Sequence, residues 1–369
     1  MSTNVLKSGA VRLSNIKITA EKCIGGGKCV SECLFLQKYG SPDKIAEACL
    51  ASAQNYDEAA INAYNCSACS LCDSVCPANA QPSKMFEMLR NHAQKNSLFG
   101  LDSYSPLLSY ERIGGKFPFK DNLLPDGCKT AFFPGCTLPA LFPEATRAAY
   151  SALKQRDPSL GLILNCCSKP SKMLGLSDSH AEAISELSKF IESQGITKIL
   201  TACPNCHITF KEFSPSFKIV SIYEELLDSN IPLNKPWLQK ATVHDPCVTR
   251  FESDLQESVR KLLTQNGVSL IEMDHSRDKT ICCGEGGGVG FHNESFAQTW
   301  NDKRKAEAAQ TGAPMVTYCA GCTNHLSGTE PVAHILDLLF VKRNETPILP
   351  RFPFNYFNRL KLRISARFA

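Results

Sequence analysis

Short apolar runs that each end at a cysteine recur through the last two-thirds of this chain: TAFFPGC, LGLILNCC, KILTACPNC, ATVHDPC and PMVTYCAGC. Runs of this length, apolar on both faces, read as buried parallel strands, which places the cysteines at strand carboxyl ends. Between them lie stretches of helical period. SHAEAISELSKFIESQG is expected to start from a Ser179 cap and stop at Gly195, and NESFAQTWNDKRKAEAAQTG is its counterpart ending at Gly312. Strands alternating with helices predict an α/β fold of two lobes with sites at the strand ends. The N-terminal third is different: DKIAEACLASAQNYDEAAINAY and PSKMFEMLRNHAQK predict helices only. The expected organisation is an α-helical domain over 1–100, a linker over 101–128 marked by SP, GG, FPF and LPDG, duplicated lobes over 129–240 and 241–345, and a basic amphipathic tail over 346–369.

The cysteines show the duplication directly. Cys136, the pair Cys166 and Cys167, then Cys203 and Cys206 are repeated as Cys247, Cys282 and Cys283, then Cys319 and Cys322. The offset is 111 for the leading cysteine and 116 for the other four. KIVSIYEELL and PVAHILDLL match beyond the last cysteine of each set, so the repeat is longer than its cysteines.

The N-terminal third names the metal that such thiolate sets would hold. CSACSLCDSVCP places Cys66, Cys69, Cys72 and Cys76 at the C-x2-C-x2-C-x3-C-P spacing of bacterial-type iron–sulfur ferredoxins. A zinc ribbon fits less well, because zinc usually takes two separated CxxC pairs. Upstream, KCIGGGKCVSEC repeats the spacing with Cys23, Cys29 and Cys33 but has Gly26 at the second position. The fourth cysteine of each run ligates the other cluster in two-cluster ferredoxins. Cys33, Cys66, Cys69 and Cys72 therefore form a complete set for a 4Fe-4S cubane, whereas Cys23, Cys29 and Cys76 are one short. Three cysteines suit a 3Fe-4S cluster, favoured here over an incomplete 4Fe-4S cluster capped by water or another ligand. Cys49 is read as a small buried residue of a helix that would otherwise complete the set, and Cys128 as structural.

Composition limits the setting. A 369-residue chain accommodates two or three domains. No stretch approaches 18 uninterrupted apolar residues, and MSTNVLKSGAVRLSNIK lacks a signal-peptide core, so a cytoplasmic location is expected, peripheral at the inner face of a membrane if the tail docks there. With nineteen cysteines in that compartment, metal ligation is expected rather than disulfides, with Cys49 and Cys128 outside the ligand sets. The net charge of +4 is concentrated after Lys342, where seven basic residues face Glu345, so nucleic acid is not an expected partner. The tail places Phe354, Phe357, Leu360, Ile364 and Phe368 on one helical face flanked by arginines, for docking on an acidic membrane or partner surface or for packing on its own domain. GEGGGVG follows a cysteine pair instead of opening a βαβ unit, so it is read as backbone approaching cluster sulfurs, not as a nucleotide loop.

The two C-x(n)-CC-x(n)-C-x-x-C sets resemble the duplicated cysteine-rich, or CCG, domains of heterodisulfide reductase. Their fusion to a two-cluster ferredoxin region is similar to the membrane-linked D-type subunit, and to the iron–sulfur subunits of anaerobic glycerol-3-phosphate dehydrogenase and glycolate oxidase. The resemblance runs from about residue 15 to 340 and departs at CCSKP, where Ser168 and Lys169 stand in place of the motif glycine. It implies up to two noncubane 4Fe-4S clusters at the five-cysteine sets, with a cubane or zinc left open at the CCSKP site. It further implies an iron–sulfur oxidoreductase subunit that passes electrons to a disulfide, or alternatively a non-catalytic carrier between a flavin dehydrogenase and the quinone pool. The expected partner is a flavoprotein or a cytochrome b-like membrane protein. Since breaking a disulfide takes two electrons and protons, two one-electron clusters facing one substrate suit the chemistry, with His207 and His244 the nearest proton candidates.

Overall fold

The computed structural model describes residues 15–368 apart from Ser214, Asn230 and residues 329–331. The leading segment read as lacking a signal-peptide core thus lies largely outside the described residues, as does the side chain of Phe368. The fold mixes helix and sheet. Up to residue 114 the described chain is helical, and nine strands follow.

Two sheets carry the repeats. The first has the order β1 (Asp121–Leu123), β3 (Gly161–Leu164), β2 (Thr130–Phe133), β4 (Lys198–Thr201), β5 (Lys218–Ser221), parallel except for β1 at the edge. The second runs β7 (Ser269–Leu270), β6 (Lys240–His244), β8 (Met315–Thr317), β9 (Val332–His334), all parallel. Without β1 the two orders are the same, and the registers match: Phe133 lies opposite Thr201 and His244 opposite Thr317.

Helices pack across the repeats in a reciprocal way. The helix Ile222–Asp228 after β5 lies against Ser253–Gln265 after β6, and its counterpart Ile335–Phe340 after β9 lies against Pro143–Arg156 after β2. This exchange of equivalent partners is the pattern of an isologous two-fold interface within one chain. One apolar core runs through it, from Phe132 and Tyr150 to Val243, Leu263, Leu336 and Leu339.

Helix ends follow local chemistry. Ser221 caps Ile222–Asp228 with Glu224 in a capping box, and Asn293 accepts from the Phe296 amide to start Glu294–Gln310. Ser179 is not a cap: that helix begins at Ser177, two residues earlier, leaving Ser179 within its first turn.

Two further segments take definite structure. The 101–128 stretch contains the helix Ser105–Gly114 and strand β1, with Glu111 accepting from the Ser171 amide at 2.8 Å. The tail forms the helix Phe354–Ser365, which packs on Thr137–Leu141 and Pro143–Arg156. Leu362 and Ala366 enter the common core and Arg359 is buried, while Phe354, Phe357 and Ile364 face outward. The helix is therefore structural on one face and apolar on the other.

Candidate iron–sulfur sites

Four groups of cysteines are brought together, each by backbone that the sequence dictates locally. In the Cys66–Cys72 loop, Ala68 and Ser70 take left-handed conformations (φ 48° and 55°), which curls the backbone around one centre. Gly25 and Gly27 hold the same positions after Cys23 with φ 64° and 69°, so the two loops share a path although Gly26 replaces a cysteine. Cys33 joins Cys66, Cys69 and Cys72 around one cavity closed by Phe35, Phe86 and Trp300. Burial pushes the thiols of Cys33 and Cys72 up, as does the crowding of neighbouring sulfurs. Cys29 is pushed up to about 11 by burial and by Cys23 and Cys76, which identifies its neighbours. Cys49 stays in the helical core, raised to about 11 by burial. The loop from Ile24 to Lys28 is exposed throughout, so the incomplete set opens to the surface.

Each five-cysteine set closes on itself. In the first repeat Cys136 hydrogen-bonds Cys166, Cys166 lies beside Cys167, the Cys167 and Cys206 sulfurs are 3.3 Å apart, and Cys206 bonds Cys203. In the second, contacts run from Cys247 through Cys282, Cys283 and Cys322 to Cys319. One thiol in each set is held low. Cys136 falls to about 6, chiefly by its hydrogen bond from Cys166, against burial and helped by Arg359; Cys282 falls because Cys247 and Cys283 bond to it. Negative charge shared over buried, clustered sulfurs calls for a soft cation, so these residues fit iron–sulfur clusters.

The glycines of GEGGGVG bring backbone to sulfur, as the sequence suggested. The Gly284 amide donates to Cys282 Sγ at 3.3 Å, with Gly286 also bonding it. A Cβ at Gly287 would overlap the Cys66 carbonyl and one at Gly286 the Ser67 carbonyl, so this loop lies directly on the loop carrying Cys66 and Cys69.

Glu285 in the same loop lies between the repeats. It feels the charges of both Cys282 and Cys136, and its carboxylate rests against Gly321. Although the side chain reaches solvent, the surrounding protein and then these thiolates push it up to about 7. On the other flank the buried Tyr223 lies near Cys203 of one set and Cys319 of the other. The two sets therefore face one another.

Proton candidates are placed unequally. His207 bonds Thr201 Oγ1 at 2.8 Å and has Nε2 4.0 Å from Glu252; burial and Lys211 lower it to about 4. His244 is fully buried, lowered to about 3 by burial and Arg304, and its ring lies among Cys283 and Cys322, with ligand atoms of the three within 4.8 Å of one another. Beside it Asp245 is structural: Arg260 grips both its oxygens at 2.9 and 2.8 Å and the Arg277 amide donates to it. Burial opposes its charge, but these bonds outweigh it and hold the carboxyl low.

The comparison with known proteins agrees with this geometry. The profile of the cysteine-rich (CCG) domain matches twice, at residues 130–211 and 241–327, and that of a 4Fe-4S dicluster domain matches residues 19–80. The chain thus carries two copies of the cysteine-rich domain behind a 4Fe-4S dicluster domain. This cysteine-rich domain protein is 25% identical over 328 residues to the D-type subunit of the dihydromethanophenazine:CoB–CoM heterodisulfide reductase of Methanosarcina barkeri, covering 79% of this chain and 78% of that one. It is 27% identical over 300 residues to the protein of the same name in Methanosarcina acetivorans, covering 71% and 72%. A shorter likeness, 25% over 183 residues, covers 45% of this chain and 26% of the EtfAB:quinone oxidoreductase of Syntrophomonas wolfei. The cysteine-rich domain protein has the features of an electron-transfer iron–sulfur subunit. Among its described residues no helix is long and apolar enough to cross a membrane.

Sequence reasoning missed the arginines of the cysteine-rich domain protein. Arg90 donates to the carbonyls of Cys66 at 2.6 Å and Gly287 at 2.9 Å, and also to those of Ala63, Tyr64 and Met173, joining three parts of the chain. Arg250 donates to the Cys69 carbonyl at 2.9 Å and to the carbonyls of Asp278 and Thr280. Arg359 of the tail lies over the rings of Tyr110 and Phe119 beside Cys136. Spacing gave no signal for any of them. Their importance comes from contacts made between segments remote in sequence.

Proposed function

We propose that the protein reduces a disulfide as the iron–sulfur subunit of a larger complex, taking electrons at its exposed N-terminal loop. The observation that carries this reading is the opposition of two complete five-cysteine sets, with Glu285 within electrostatic reach of Cys282 and Cys136 and Tyr223 within reach of Cys203 and Cys319. When bound, iron–sulfur clusters would supply single electrons and iron sites for sulfur. Cys33, Cys66, Cys69 and Cys72 would hold a 4Fe-4S cubane; Cys23, Cys29 and Cys76 a 3Fe-4S or water-capped 4Fe-4S cluster; and each five-cysteine set a noncubane 4Fe-4S cluster.

The chain's own residues order the route. The loop around Gly26 is open to a donor protein, the Cys66–Cys72 loop lies behind it, and Gly286 and Gly287 press that loop onto the second set. The substrate takes two electrons and two protons and leaves as two thiols. Glu285 is the titratable side chain shared by both sets. The Methanosarcina relatives are heterodisulfide reductase components by name, which supports the substrate class. The functional regions would be 1–100, 129–240 and 241–345. The outward face of Phe354, Phe357 and Ile364 with Arg351 and Lys361 would rest on a membrane or a membrane-bound partner.

The test is disulfide reduction driven by reduced viologen. Cys167→Ser and Cys283→Ser are each expected to abolish turnover while the N-terminal clusters still reduce, and Glu285→Gln to slow it by about 10²-fold. A second reading, a carrier between a flavin dehydrogenase and quinone, is favoured by the likeness to the quinone oxidoreductase. Absence of turnover on a panel of disulfides, with normal quinone-linked flow in a reconstituted complex, would establish that second reading instead.

A further inference from the structure

The two five-cysteine sites are not equivalent, and the difference lies at the last residue of the central strand of each repeat. At the end of β2 this residue is Phe133, opposite Thr201; at the end of β6 it is His244, opposite Thr317. Phe133 packs edge-on against Phe210 with ring centroids 5.2 Å apart, an ordinary apolar contact. His244 occupies the same place in the second repeat with no accessible surface, and among the described residues neither of its ring nitrogens has a hydrogen-bond partner.

An orphaned buried imidazole is costly, since each unpaired polar atom has given up its hydration for nothing in return. Such groups call for a partner that protein atoms do not supply. The neighbours of His244 indicate what it is. Its ring nitrogen and the sulfurs of Cys283 and Cys322 all lie within 4.8 Å of one another, and all three residues are buried. A neutral imidazole offers one lone pair and one N–H, so it can ligate a metal and still donate to a sulfur.

We propose that His244 is a nitrogen ligand to the metal centre of the second repeat, alongside Cys283 and Cys322, and that the first repeat, with Phe133, has a centre ligated by sulfur alone. The inference rests on the reading of the five-cysteine sets as iron–sulfur sites. The imidazole is an added neutral donor to a set that keeps all five thiolates, so the two centres differ in ligation and hence in reduction potential. The second site is therefore the one set apart by its ligation. It is also the one against which the loop carrying Cys66 and Cys69 is packed. Electrons would enter the pair of sites at the second repeat.

The test uses the full-length protein purified anaerobically with its clusters and labelled with 15N-histidine. Pulsed EPR of the second-site signal is expected to show a strongly coupled histidine nitrogen, which is lost in His244→Phe while the iron content at the other sites is kept. In His244→Cys, where an anionic thiolate takes the imidazole's place, the midpoint potential of that signal is expected to fall. A wild-type signal without histidine nitrogen coupling, or one that keeps it in His244→Phe, overturns the inference and leaves the proposed function standing. Lack of iron at both five-cysteine sites would instead remove that function. If the second site carries zinc, zinc-edge absorption decides the ligation: one nitrogen in the first shell supports it, sulfur alone overturns it. The wild-type measurements suffice should a variant fail to fold.

Discussion

At the scale of single residues, two fully enclosed arginines hold the N-terminal region to the second repeat. Arg90 is 2% exposed and Arg250 1%, and both spend their donors on main-chain carbonyls, including those of Cys66 and Cys69. A guanidinium has five donors in a fixed plane, whereas lysine has three on one atom, so the two are not interchangeable at such a junction. Arg90→Lys is expected to destabilise the protein by about 3 kcal/mol, because several buried carbonyls lose their donors. Thermal unfolding of the cluster-loaded protein would register this, with amide exchange rising first around Cys66 and Gly287. Unchanged exchange at both loops would show that the junction holds without the guanidinium.

At the scale of elements, the C-terminal helix and the segment before Cys282 carry the long-range organisation. The helix Phe354–Ser365 buries Leu362 in the shared core and brings Arg359 beside Cys136, so deleting residues 351–369 is expected to cost the first site its iron or the protein its solubility. Iron analysis of the truncated protein checks this; four intact clusters would mean that the outward face is all the tail contributes. The helix end is held by Arg363 and Arg367 on Asp121 at 2.7 and 2.9 Å. Burial opposes ionisation of Asp121, but these hydrogen bonds outweigh it and lower its pKa from 3.8. The carboxylate therefore stabilises the docked helix above the ordinary range, and that contribution disappears as pH falls below it. Asp121→Asn should lose up to about 1 kcal/mol at pH 7, with the difference closing as acid protonates the wild-type carboxyl. Five extra residues between the leading cysteine and the pair distinguish the second repeat, and they fall between β7 and Cys282. That segment supplies His275, whose ring meets Glu32 at 2.9 Å, and Asp278, whose carbonyl accepts from Ser74 at 2.8 Å. The longer loop thus gives the second repeat a seat for the N-terminal region, which also meets the first repeat where Tyr64 donates to the Leu174 carbonyl at 2.8 Å.

At the scale of the whole molecule, a pseudo-two-fold pair of α/β units meets the N-terminal region asymmetrically, and the proposed electron path is asymmetric with it. The four cysteine sets imply about 15 or 16 iron atoms per chain at full occupancy, depending on whether the exposed set holds three or four. Iron analysis with low-temperature EPR after anaerobic purification measures this, and iron near eight with stoichiometric zinc would contradict it. Gly26 lies at the surface between Gly25 and Gly27, whose left-handed turns match those of Ala68 and Ser70, so Gly26→Cys is expected to convert a three-iron signal of the oxidised protein into that of a four-iron cluster. A signal untouched by this change would place the three-iron centre elsewhere.

Much of this was legible in the sequence because its determinants are local. The repeated cysteines, their positions after short apolar runs, and the shared turns after Cys23 and Cys66 depend on spacing and backbone preference within a few residues. Matching phrases after each CxxC pair likewise showed that the repeat outruns its cysteines, and in the structure each phrase is a strand, β5 or β9, with the helix that follows. What only the tertiary structure decided depends on which surfaces meet. The opposition of the two sets across Glu285 and Tyr223, the clasp of Arg90 on Gly287, and the approach of Arg359 to Cys136 join residues far apart in the chain. An amphipathic pattern likewise showed that the tail helix has two faces, but not which would be buried. Its outward Phe354, Phe357 and Ile364 and inward Arg359 and Leu362 were settled by the shape and charge of the repeat that receives it.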